Sequence, residues 1–109
     1  MKIGDYVKTK NGLIGQIIKC NSIYFILDID KDNIAHEQDE IYKSSDKIIN
    51  LIEIGDYVNG REVREVYDLG FEKCFCFKNE YGRHYDKTYK IKTIVTKEQF
   101  ESMKYKVVE

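Results

Sequence analysis

The sequence has no proline and no tryptophan, one alanine, three cysteines, two histidines and three arginines against fifteen lysines. Each shortage excludes something. With no Pro/Gly/Ser-rich stretch there is no flexible spacer between the two ends of the chain. Three cysteines, Cys20, Cys74 and Cys76, are too few and odd in number for a disulfide scaffold. The longest apolar runs are short, as in Ile23 to Leu27, so no segment has the length of a membrane-spanning helix, and MKIGDYV lacks the apolar core of a signal peptide. A cytosolic location is the expectation. A surplus of either charge is also missing: 18 basic and 19 acidic residues leave a net charge of -1, which argues against a strongly basic nucleic-acid binder.

What is present is 42% hydrophobic and 13% aromatic residues, within the globular range. The chain is also rich in Lys, Ile, Tyr and Asn, residues read from A/T-rich codons, which points to a low-GC genome. At 109 residues it fits one ordinary domain or two very small ones.

The pentapeptide IGDYV favours two, because it occurs at Ile3 to Val7 and again at Ile54 to Val58. After the first copy, Asn11-Gly12 supplies a hairpin turn and Leu13 to Lys19 a strand. Asn21-Ser22 is a second turn, and Ile23 to Ile29 a strand apolar on both faces and expected to be covered on each. Ser44-Ser45 before DKIINLI predicts a capped helical turn leading to a closing strand. After the second copy the order repeats. Asn59-Gly60 is the turn, Arg61 to Tyr67 the second strand and Cys74 to Phe77 the apolar third strand. Tyr89 to Val95 is a further strand, Thr96 to Gln99 a capping box opening a short helix near 97–103, and Tyr105 to Val108 a closing strand. Modules are expected at 1–52 and 53–109.

Gly4-Asp5 and a strand ending in Val7, followed by Gly12, Gly15 and Ile17, resemble the opening of an SH3-like small β-barrel of the KOW type found in ribosomal and transcription proteins. The resemblance implies a mainly β chain of two tandem SH3-like barrels, each with a short helical turn before its closing strand. In the second copy no glycine matches Gly15, which weakens a nucleic-acid role there more than it weakens the fold. The stretches IINLIEIGDYVNG and IVTKEQFESMKYKVVE are similar to short proteins of phages and mobile elements in low-GC Gram-positive bacteria, which implies a genomic setting.

Two stretches are candidates for binding. Residues 28–40 hold Asp28, Asp30, Asp32, Glu37, Asp39 and Glu40 against Lys31 alone, a charge of about -5 at neutral pH. They form a solvated acidic loop, or a surface offering carboxylates to a basic protein. Asp28, Asp30 and Asp32 also have the 1, 3, 5 spacing of a calcium loop, without its central glycine or flanking helix. In the second stretch Tyr81, Tyr85 and Tyr89 alternate with Arg83, His84, Lys87 and Lys90. Such a string suits protein hot spots and single-stranded nucleic acid alike, and a half-buried strand pair produces it as well.

Cys74 and Cys76 share a strand face and read as buried thiols. No phosphate-binding glycine loop or serine elbow occurs, and neither His36 nor His84 lies in a ligand spacing. The expectation is therefore a non-catalytic protein-binding factor of phage or mobile-element origin, without cofactor or metal, whose target is a host protein such as a defence nuclease in the manner of an anti-CRISPR, with the acidic loop Asp28 to Glu40 meeting the target's basic channel and Tyr81 to Tyr89 as a second contact. The alternatives are a KOW-like nucleic-acid module using Lys8, Lys10, Lys19 and the Tyr/Arg/Lys hairpin, and a calcium-binding module.

Overall fold

A computed structural model describes residues 1–30, 34–103 and 107. The chain divides into two compact units, Met1–Ile52 and Glu53–Glu109, and it is mainly β, with one five-stranded antiparallel sheet in each unit.

In the N-terminal unit the strands are β1 (Tyr6–Thr9), β2 (Ile14–Cys20), β3 (Tyr24–Leu27), β4 (His36–Glu37) and β5 (Ile41–Ser45), arranged β4-β3-β2-β1-β5. Local chemistry sets the turns. Gly12 takes φ 93° and donates its N–H to the Thr9 carbonyl at 3.0 Å, closing the β1–β2 hairpin. The Asn21 side-chain oxygen accepts from the amides of Ile23 and Tyr24, both at 2.8 Å, and turns the chain into β3. Alternation then sends Val7, Ile17, Phe25 and Leu27 into one core, with Cys20 and Ile41 against it. The opposite face of β3 is less covered than its composition predicts, since Tyr24 is exposed and Ile26 half-buried.

The C-terminal unit repeats the plan with β6 (Tyr57–Val58), β7 (Arg61–Asp68), β8 (Lys73–Phe77), β9 (His84–Tyr85) and β10 (Ile94–Val95), arranged β10-β6-β7-β8-β9. Here the third strand is covered on both faces: Cys74, Phe75, Cys76 and Phe77 are all buried. Helix α1 (Lys97–Met103) opens on the expected capping box. The Gln99 N–H donates to Thr96 Oγ1 at 3.2 Å, and the Gln99 side-chain oxygen accepts from the Thr96 N–H at 3.0 Å.

The duplication extends well past the pentapeptide. Gly4 and Gly55 take φ 95° and 93°. Their amides donate to the carbonyls of Ile17 and Val63 at 2.9 and 3.0 Å, while the amides of Ile17 and Val63 donate back to the Asp5 and Asp56 carbonyls, both at 2.8 Å. Each aspartate side chain also accepts from the amide three residues before it, Lys2 at 3.0 Å and Glu53 at 2.8 Å. Both second strands carry a register shift immediately after these residues, between Ile17 and Lys19 and between Val63 and Glu65. Phe25 faces His36, as Phe75 faces His84.

The order of elements departs from expectation at the closing strand. DKIINLI does form a helical turn, a 3-10 helix at Ile48–Leu51 that buries Ile49 and Leu51. The strand that lies against β1 is β5, however, upstream of that turn. Ile41 to Ser45 alternates half-buried and exposed positions and so fits the free edge of β1. Likewise β10 lies against β6 and precedes α1. The expected strand over Tyr89 to Val95 contracts to Ile94–Val95, and the one expected over Tyr105 to Val108 falls, Val107 apart, outside the described residues.

The two units differ where Gly15 stands opposite Val7 and Arg61 opposite Val58. A Cβ added at Gly15 would lie 2.9 Å from the Leu27 Cβ and 3.1 Å from Asp28 Oδ1. Gly15→Ala is therefore expected to destabilise the N-terminal unit by ~1–3 kcal/mol, read as a lower denaturant midpoint at an unchanged slope.

Candidate functional site

Between its third and fifth strands each unit makes an excursion, and these two segments hold all the residues expected to meet a protein partner. In the N-terminal unit several of the carboxylates hold the excursion in shape. Asp28 Oδ1 accepts from the Gln16 N–H at 2.9 Å, while the Asp28 N–H donates to the Gln16 carbonyl at 2.9 Å. Asp30 Oδ2 accepts from the Leu27 N–H at 2.9 Å and lies 2.9 Å from His36 Nε2. Glu40 Oε2 accepts from the Glu37 N–H at 2.7 Å and lies 3.3 Å from His36 Nδ1. Glu37 and Asp39 are exposed, and Asp32 lies outside the described residues. Asp28 and Asp30, the first two positions of the calcium-loop spacing, thus turn an oxygen onto backbone amides.

His36 was not singled out by sequence, yet it joins both ends of this excursion. Its ring stacks on Phe25 with centroids 5.3 Å apart while its two nitrogens face Asp30 and Glu40. The C-terminal unit places His84 in the same way, with Nε2 at 3.4 Å from Glu80 Oε2 and the ring tilted against Phe75 and Phe77 at 5.6 and 5.0 Å. The available signal was an acid a few residues before each histidine, in blocks already marked as repeats.

Arg61 changes the surroundings of the second pair. Its guanidinium lies 4.4 Å from the Phe77 ring centroid and donates to the Glu80 carboxylate, while Arg64 Nη2 donates to the Glu80 carbonyl at 2.9 Å. The hydrogen bond from Arg61, followed by the one from His84, holds the Glu80 carboxyl below its ordinary value against the opposing effect of desolvation. Glu62 is lowered similarly, by Lys78 Nζ at 2.7 Å and the Tyr57 hydroxyl at 3.0 Å. A carboxyl lowered in the folded state contributes stability above its unfolded pKa and loses it as pH falls through the folded one. Arg61→Gln is accordingly expected to lower Tm at neutral pH, with the gap from wild type closing as the solution is acidified through the carboxylate range. A gap independent of pH in thermal melts would contradict this.

Of the tyrosines expected to meet a partner, Tyr89 belongs to the fold. Its ring packs on Phe75, Phe77 and His84 at 5.5, 5.7 and 4.6 Å, and its hydroxyl accepts from Asn59 Nδ2 at 3.2 Å. Tyr85 is half-buried on β9. Tyr81 is 98% exposed, and Arg83 and Lys87 are exposed as well. Arg83 lies over the Tyr67 ring, 4.6 Å from its centroid. Tyr67 and Tyr85 face Cys74 from its two sides in register, so these side chains share the sheet face under which Cys74 and Cys76 are buried.

Among the described residues no three or more His, Cys, Asp or Glu side chains are grouped to hold a metal ion, and no helix is long and apolar enough to cross a membrane. No family model, curated protein or solved structure matches the chain.

Proposed function

We propose that the chain is a non-catalytic protein-binding factor whose principal contact is the C-terminal excursion. The observation that supports this most is Tyr81, almost fully exposed on the same short loop as Arg83. Tyrosine and arginine are the residue types that concentrate binding energy at protein interfaces, and an aromatic ring left in water gains most by being covered. Exposed Glu37 and Asp39 supply a second, acidic contact. The genomic setting implied by sequence resemblance makes a host protein the target, for example a nucleic-acid-guided defence nuclease whose basic channel an acidic surface would fit.

The exposed Lys87, Lys90 and Lys92 favour one rival, a KOW-like nucleic-acid contact along the same excursion. Lys8 does not serve that rival, because it is 1% exposed, with its Nζ 5.5 Å from the Tyr42 ring centroid; Lys10 and Lys19 are exposed.

Capture from lysate of a low-GC Gram-positive host, with and without nuclease, followed by reconstitution with the purified target, separates the two. A discrete protein retained after nuclease, rebound when purified and lost ~10-fold or more in affinity with Tyr81→Ala, is the expected result. Recovery of nucleic acid alone would replace this reading with the rival.

A further inference from the structure

Arg83 differs from the other two arginines in what surrounds it. Arg61 is matched by the Glu80 carboxylate and Arg64 by the Glu80 carbonyl. Arg83 lies over an aromatic ring instead, its guanidinium 4.6 Å from the Tyr67 centroid, with the neighbouring Tyr85 side chain holding it above its ordinary pKa. Among the described residues no carboxylate contributes to the environment of its guanidinium. Stacking fixes the plane of a guanidinium and leaves its N–H edge available, which is the form in which arginine accepts a carboxylate through two parallel hydrogen bonds.

We propose that Arg83, stacked on Tyr67, is a receptor for a carboxylate presented by an acidic segment of a protein partner, an inference that rests on the protein-binding reading above and gives its partner a chemistry. The sheet face favours an isolated carboxylate over a polyphosphate. Glu65 stands on the same face as Tyr67, in register with Cys76, and would repel a continuous run of phosphates. The neighbouring tyrosine rings provide apolar surface for the residues flanking such a carboxylate, a contact between polar anchor and aromatic wall typical of interface centres.

The test uses the full chain and three probes: a short peptide with a single Asp flanked by Tyr, the same peptide with Asn for Asp, and oligothymidylate. The Arg83 Nε–H and the Tyr67 and Tyr85 ring signals are followed by NMR. The Asp peptide is expected to move all three, with affinity falling ~10-fold or more for Arg83→Gln and only partly restored by Arg83→Lys, which keeps the charge without the fork. Glu65→Gln is expected to tighten binding of the Asp peptide. Arg83 is exposed, so amide spectra of the variants should overlay that of wild type away from the site. Equal binding of the Asp and Asn peptides, unchanged affinity in Arg83→Gln, or a response to oligothymidylate without one to the Asp peptide would each overturn the proposal. A captured protein whose binding ignores Arg83→Gln would overturn this inference and leave the protein-binding reading standing. Absence of any captured protein would remove that reading, while the peptide titration still decides this one.

Discussion

Phe77→Ala is expected to unfold the C-terminal unit. Phe77 is 0% exposed, faces Val63 across the sheet and meets Phe75 edge to face at 5.3 Å. It also supports His84, Tyr89 and the Arg61 guanidinium. Truncating a buried phenylalanine costs ~3–5 kcal/mol, the lost transfer energy adding to the cavity left behind. A unit the size of Glu53–Glu109 has roughly 3–8 kcal/mol of stability in all at ordinary per-residue values. Here the loss reaches further than the hydrophobic contact, because Arg61 and Glu80 would keep their charges while losing the surface that positions them. Native-state hydrogen exchange by NMR provides the measurement: protection should collapse across β7 and β8 and persist across β2 and β3. Phe77→Leu, which leaves a smaller void, should retain most of the protection. Full protection of β7 and β8 in the alanine variant would show that the ring is not what holds this unit together.

Asn59→Ala should cost nearly as much, through polar contacts in place of packing. Asn59 has φ 51°, a conformation that asparagine tolerates better than alanine. Its side-chain oxygen accepts from the amides of Lys92 and Thr93 at 2.8 and 3.0 Å, and its Nδ2 donates to the Lys90 carbonyl at 3.0 Å and the Tyr89 hydroxyl at 3.2 Å. One side chain therefore fastens residues 89–93 to the end of β6. At ~0.5–1.5 kcal/mol for each hydrogen bond, discounted because several are near solvent, the loss comes to ~2–4 kcal/mol. Asn59→Asp separates the components, since a carboxylate still accepts from the two amides but donates nothing to Lys90 or Tyr89. Its denaturant midpoint should fall between those of wild type and Asn59→Ala. If Asn59→Ala melts with wild type, the segment is held by other contacts.

These two residues also mark where the sequence could and could not be read. Asn59-Gly60 is legible as a turn because positive φ restricts the choice of residue. That Asn59 would reach the chain 30 residues later depends on a fold in which β10 lies beside β6, and no local pattern encodes it. Capping is local, so the Thr96–Gln99 box and the helix behind it were readable to the residue. Strands β4 and β9 contain two residues each, too few for any periodicity. The histidines they carry looked isolated for the same reason. Among the binding candidates, composition identified both excursions, but charge counting does not reveal which carboxylates and tyrosines the fold itself employs. Asp28, Asp30, Glu40 and Tyr89 have partners set by register and Arg83 lies on Tyr67, while Tyr81, Lys87 and Asp39 stand exposed.

The near-identity of the two first strands creates a hazard in folding. A nascent chain that presents IGDYV twice offers each second strand two similar partners, and exchange of like elements is a characteristic failure of repeated modules. The residue that follows the pentapeptide distinguishes them. Lys8 lies buried beside Tyr42, whereas Asn59 ties down residues 89–93. A misplaced β1 would bring a long cation to the position of Asn59, and a misplaced β6 would leave the place of Lys8 short of a side chain. Opposite Val7 and Val58, Gly15 and Arg61 make the second strands equally unlike. The pentapeptide is common to both sheets, and these neighbours make its two copies unequal partners for either second strand.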